Sequence, residues 1–265
     1  MRLLKFAALG LLVAGGVAVA QGTANHHGGQ FMRRHIDQRI AGALDAAQAT
    51  PDQRARIEKA KERVFQTIEA SHQNRKAHME KVMALFEADK IDAAQINDLR
   101  ADHEKEAKAD GDAILGAITE AHDTLNAQQR KQVADYVRAH KPEAPPKAVG
   151  EWFKKRAFAH VNDALDQVKA SQEQRTAVEN ALEQVWNAVK DEHEASTGHL
   201  DQALAIFQSP QIDKAQLEKL RAEHQARRQK IGDAIVQAFH DVHDALTSAQ
   251  RKQLVAWVRS NHPHM

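Results

Sequence analysis

The stretch LTSAQRKQL at 246–254 nearly repeats LNAQQRKQV at 125–133, 121 residues earlier. Sliding the chain against itself by 121 positions carries the likeness outward in both directions. IDAAQINDLRADH at 91–103 falls on IDKAQLEKLRAEH at 212–224, and GDAI at 111–114 falls on GDAI at 232–235. Phe65 meets Trp186, Phe86 meets Phe207 and Tyr136 meets Trp257, with no gap from about residue 44 to 139. A fixed period of this kind is the mark of a tandem duplication. The copies, 30–140 and 151–261, are joined by KPEAPPKAVG at 141–150, whose Pro and small residues suit a linker.

The repeated nonapeptide has a local physical meaning. Asn126 or Thr247 can cap a helix by accepting from the amide three residues on, while Gln129 or Gln250 reaches back to the cap amide. The same capping box is written by Thr50 and Gln53, with Pro51 at the first helical position, and by Ser171 and Gln174. Asp92 with Gln95 and Asp213 with Gln216 add a third box per copy. Three boxes predict four helices in the first copy, at 30–48, 51–88, 93–124 and 127–139, with equivalents 121 higher.

Apolar periodicity agrees. Ile57, Val64, Ile68, Met79, Val82, Met83 and Phe86 recur at threes and fours, as do Ile96, Leu99, Ile114, Ile118 and Leu125. The fold class is all-α: two tandem four-helix modules built on long antiparallel hairpins that fold back at 89–91. A hairpin of such helices, at 1.5 Å per residue, is about 50 Å long. One seam cannot bury its apolar surface, so each module is expected to leave a face for the other module, a second chain or a client.

Composition excludes several classes. Aromatic residues are only 5% and Cys is absent, so a disulfide framework is ruled out. Residues 1–20 read as a signal peptide: Arg2 and Lys5 precede an apolar run over 6–19 that ends in Ala18, Val19 and Ala20, too short for a membrane span. Its removal leaves 35 basic residues (37 less Arg2 and Lys5) against 36 acidic, so nucleic acid is not an expected partner. Residues 21–29 form a His/Gly-rich segment and 262–265 a tail; His26, His27, His262 and His264 there are weak metal donors. The chain has no HExxH, no GxSxG, no phosphate-cradling Gly loop and no Cys nucleophile, so no enzyme is expected.

Sixteen histidines supply a separate possibility. His72, His78, His103 and His122 recur in register as His193, His199, His224 and His243. In the hairpin, positions summing to about 182 lie opposite one another, which places His78 or Met79 near His103, and His199 near His224. Two imidazoles in reach can ligate Zn, Cu or Ni if a carboxylate or further His closes the site.

The motif stands as ATPDQ at 49–53, LNAQQ at 125–129, ASQEQ at 170–174 and LTSAQ at 246–250. A paired LTxxQ-like motif in a helical module behind a signal peptide resembles the Spy/CpxP family of periplasmic stress proteins, which includes heavy-metal sensor and resistance relatives. The resemblance implies a periplasmic, ATP-independent chaperone that binds unfolded proteins on a helical cradle, here with Met79, Met83, Leu200 and Leu204 as client-touching residues. The alternative it implies is a heavy-metal sensor or resistance protein using His78, His103, His199 and His224. Metal-sensing relatives carry HxxxH near the start of the first helix, where this chain has His35 with Arg39 and Arg156 with His160. A membrane sensor kinase is a further implied partner. The tandem copy implies either a monomer whose two modules form an intrachain pseudo-dimer, or a homodimer.

Overall fold

The computed structural model describes residues 26–140, 147–196 and 199–261. Residues 1–20, expected as a signal peptide, the start of the His/Gly-rich segment, most of the expected linker and the tail fall outside the described residues. Among the described residues every regular element is a helix, as the helix-forming alphabet requires. The first module holds α1 (His26–Ala46), α2 (Pro51–Gln73), α3 (Arg75–Glu87), α4 (Ala93–Thr124) and α5 (Ala127–Ala139). The second holds α6 (Lys147–Gln167), α7 (Gln172–Ser196), α8 (His199–Gln208), α9 (Lys214–Ala245) and α10 (Ser248–Asn261). The bounds of α4 and α9 differ by 121 at both ends, as do those of α1 and α6. No described helix is long and apolar enough to cross a membrane.

The four principal capping boxes form. Thr50, Asn126, Ser171 and Thr247 each exchange two hydrogen bonds with Gln53, Gln129, Gln174 and Gln250 respectively. Their glutamines do more than cap. Gln53 and Gln129 donate to one another's amide oxygens at 2.9 Å each, and Gln174 and Gln250 do the same at 2.8 and 3.0 Å. The spare proton of Gln53 goes to the Thr124 carbonyl, and that of Gln174 to Ala245. The paired motif is therefore one device: two caps placed back to back and bolted by an amide pair, which fixes the start of α2 against the start of α5. At Asp92 the box is open, because Gln95 Nε2 bonds the Asp92 carboxylate instead of closing on the cap amide.

Each first helix ends in a left-handed residue, Gln48 at φ 48° and Lys169 at φ 51°. Ala49 N–H bonds the Leu44 carbonyl and Gln48 N–H that of Asp45, with Ala170 and Lys169 repeating the pattern on Leu165 and Asp166. This Schellman geometry satisfies the last carbonyls and turns the chain into the next helix.

The expected continuous helix over 51–88 is broken. It stops at Gln73 and restarts at Arg75, with Asn74 at φ −79°, ψ −12°. Asn has low helix propensity and an amide that seeks its own partner; Asn74 Nδ2 donates to Glu106 of α4 at 3.1 Å. The break has a large consequence. Helix α2 packs along α4 in its own module and α7 along α9, but α3 packs on α10 of the second module and α8 on α5 of the first. The two modules exchange arms.

The cores follow this exchange. The larger cluster joins Val161, Leu165, Val178, Val185, Phe239 and Val242 of the second module to Met79, Met83, Leu85 and Phe86 of the first. The smaller joins Leu44, Ala49, Ile57 and Leu125 to Phe207 of the second. Phe86 packs its ring 5.6 Å from Phe239 and 6.1 Å from His243, while Phe207 meets His122 edge-on at 6.1 Å. At the rim Arg259 pairs with Glu80 and Glu87, and its counterpart Arg138 pairs with Asp201 and Gln208. Ile114 and Ile118, expected on the buried face of α4, are 43% and 39% exposed; Phe239, the counterpart of Ile118, is covered by Phe86, and Ile235, the counterpart of Ile114, packs on the same cluster, while Phe207 seats on Leu44, Ile57 and Leu125 instead.

Candidate functional site

The crossover, where α3 leaves α2 for the second module, is lined by polar side chains facing α4. Ser71 Oγ donates to Asp110 at 2.8 Å, Asn74 Nδ2 to Glu106 at 3.1 Å, and His78 Nε2 lies 3.6 Å from Asp102 Oδ2. These pairs sum to 180 or 181, so the hairpin register read from the sequence holds up to the break and one turn beyond it. His103 follows Asp102 on α4, close enough to His78 to feel its charge.

His103 is tuned by its surroundings. Desolvation of the ring by neighbouring protein atoms, the Arg228 guanidinium and His78 hold its pKa below the usual imidazole value near 6.5. A lowered pKa favours the neutral ring, the form that binds a metal. Arg228, on α9 of the other module, donates to His103 Nε2 at 3.3 Å.

The donor set fits a metal in part. Two ligands on a tetrahedral zinc, at about 2.0–2.1 Å each, are roughly 3.3 Å apart; the 3.6 Å between His78 and Asp102 is near that bite. A third donor is at hand in His103, turned to Arg228. Among the described residues no three His, Cys, Asp or Glu side chains already converge on one point. In the second module the matching letters are His199, Glu223 and His224. His224 is exposed on α9, and the His199 side chain lies outside the described ones. The terminal histidines 262 and 264 and the side chains of 26 and 27 lie outside them too.

Of the four residues expected to touch clients, three are buried. Met79, Met83 and Leu204 are 7%, 4% and 8% exposed, and only Leu200, at 38%, faces solvent. The reason is the arm exchange: the apolar stripe of each arm is covered by the opposite module.

His122 and His243, noted in the sequence only as repeating, are buried. His243 Nε2 meets the Ala88 carbonyl at 2.9 Å and His122 Nε2 that of Ser209 at 3.0 Å, each with its following aspartate on Nδ1. Arg251 adds a bond to the same Ala88 carbonyl at 3.0 Å. These groups receive the last carbonyls of the exchanged arms, which would otherwise lose their partners on burial. The only signal for them in the sequence was the exact 121-residue spacing.

A family model described as heavy-metal resistance matches residues 3–132 and again residues 136–253. No curated protein and no solved structure matches the chain.

Proposed function

The chain belongs to the heavy-metal resistance family, and from that premise we propose that it serves metal resistance by binding metal ions, without a catalytic step. The observation that carries this reading is the crossover pair His78 and Asp102, two donors 3.6 Å apart, with His103 next to Asp102 on α4. Zinc, copper and nickel suit imidazole with one carboxylate, water completing the shell. Such a partly formed site holds metal reversibly, which suits a buffer or a sensor more than a store. The apolar run over 6–19 behind Arg2 and Lys5 supports export to the periplasm. The arm exchange supports a monomer whose modules occupy each other's open faces, because Met79, Met83 and Phe86 of one arm and Phe207 of the other are covered within the chain. A client-binding cradle loses three of its four expected contact residues, since Met79, Met83 and Leu204 are in the core.

The test is a zinc titration of the tag-free chain by competition with a chromophoric chelator. His78→Ala is expected to weaken the tightest site about tenfold or more, and His35→Ala, on the exposed face of α1, to leave it unchanged. Equal affinity of His78→Ala and the parent chain refutes the assignment.

A further inference from the structure

Independently of the crossover, we propose that the cleft between α4 and the start of α9 binds a small amphipathic organic anion, a carboxylate or sulfonate on an apolar body. The cleft has a volume of about 520 Å³, within the span of small-molecule sites. Leu115, Gly116 and Thr119 of α4 give it a largely apolar wall, and Arg56 of α2 and Lys214 of α9 stand at it as cations.

The charges decide the sign of the ligand. Four carboxylates also line the cleft, and each already has a partner. Asp112 pairs with Arg221 at 2.5 Å and Lys108 at 2.7 Å, Glu120 with Arg63, Asp123 with His122 at 2.9 Å, and Glu218 with Arg221 at 3.9 Å. Lys108 and Arg221 hold the Asp112 carboxyl below its usual range. Among the described residues Arg56 and Lys214 pair with no carboxylate, so the uncompensated charge in the cleft is positive. Two exposed cations alone hold an anion weakly in water. Burial against the apolar wall adds the rest, which is why the ligand needs an organic body.

The 121-residue repeat supplies the contrast. The equivalent place, between α9 and the start of α4, has Ala177, Ala93 and Gln237 at the positions of Arg56, Lys214 and Gly116. Both cations are absent there, and Gln237 lays its side chain along α9 to donate to Asp241 at 2.8 Å. Phe239 and Ile235 of that face join the main core together with Ile96 and Leu99 of α4, whereas Ile114 and Ile118 of the first copy stay exposed. A Cβ at Gly116 meets no atom within 4 Å, so the glycine leaves room and relieves no clash.

The experiment titrates the full chain with anilinonaphthalene sulfonate, whose emission rises in an apolar site, and with phenylnaphthylamine, the same rings without the sulfonate. Saturation at about one sulfonate per chain is expected, since the twin place lacks both cations. Arg56→Ala and Lys214→Ala should each weaken the sulfonate about threefold to tenfold, the worth of one charge-assisted contact at an exposed position, and leave the neutral probe unchanged. Gly116→Gln has space for its side chain; it should weaken both probes about tenfold or more without lowering the unfolding midpoint, as Gln is the better helix former. Lys252→Ala, an exposed cation on α10, is expected to change affinity less than about twofold. Sulfonate affinity that is unchanged in Gly116→Gln, or weakened as much by Lys252→Ala as by Lys214→Ala, overturns the proposal. A parent chain that binds the two probes alike, or neither, overturns it as well. None of these variants alters His78 or Asp102, so zinc binding should be the same in all of them, and this proposal and the metal reading fail separately.

Discussion

Replacing Phe86 by Ala probes the arm exchange where it is most concentrated. The ring is 3% exposed, on a helix of the first module, yet its neighbours Phe239 and His243 belong to the second. Truncating a buried Phe costs about 3–5 kcal/mol through lost burial and the cavity left behind. In a chain of this size that is a fall in midpoint of roughly 10 °C. Phe207→Ala, at 9% exposed in the smaller cluster, should cost less, about 2–3 kcal/mol. Urea unfolding followed by far-ultraviolet circular dichroism measures both. The decisive comparison is a double-mutant cycle with Phe239→Ala. Rings 5.6 Å apart at a tilt of 59° should couple by about 0.5–1.5 kcal/mol beyond their separate losses. Strict additivity of Phe86→Ala and Phe239→Ala would refute the contact, and with it the seating of α3 on the second module.

Three further outcomes follow from the same geometry. Gln129→Glu keeps the capping oxygen for Asn126 but removes the donor to Gln53 and puts a carboxylate where only 8% is exposed; it should lower unfolding free energy by about 1–3 kcal/mol, and a loss below measurement error would sink the amide-pair account. Gln48→Gly and Lys169→Gly relieve left-handed backbone and should each stabilise by about 1 kcal/mol in the same unfolding assay, whereas destabilisation would mean those side chains matter more than their φ. Because the chain has no natural Cys, Glu80→Cys with Arg259→Cys, replacing a 3.0 Å ion pair between the modules, can be joined by a short bismaleimide. A fast-migrating monomer band on denaturing gels is expected, and a covalent dimer would show that arms are exchanged between chains instead.

The sequence and the structure agree where the signal is local. Caps at Thr50, Asn126, Ser171 and Thr247 are decided by three or four neighbouring residues, so the helix starts they set at 51, 127, 172 and 248 were legible. The left-handed stops were less so, since Gln48 and Lys169 stand where Gly is usual. The break at Asn74 was hidden because a single Asn inside an amphipathic run is tolerated in many helices, and only its pairing with Glu106 shows why this one yields. The exchange itself could not be read. Met79, Met83 and Phe86 mark a stripe that must be buried, but periodicity does not say which module buries it. The histidines were half legible for the same reason: the hairpin register brought His78 to the level of His103, while Asp102 was lost among alternating charges and Arg228 arrives from 125 residues away.

In the proposed function, side chains of α3 and α4 hold metal at the crossover. X-ray absorption at the zinc edge, on the full chain loaded with one equivalent and compared with His78→Ala and His103→Ala, tests it most directly. A shell of nitrogen and oxygen at about 2.0–2.1 Å is expected, with imidazole scattering that weakens in each variant. An unchanged spectrum in both variants would place the metal away from α3 and α4.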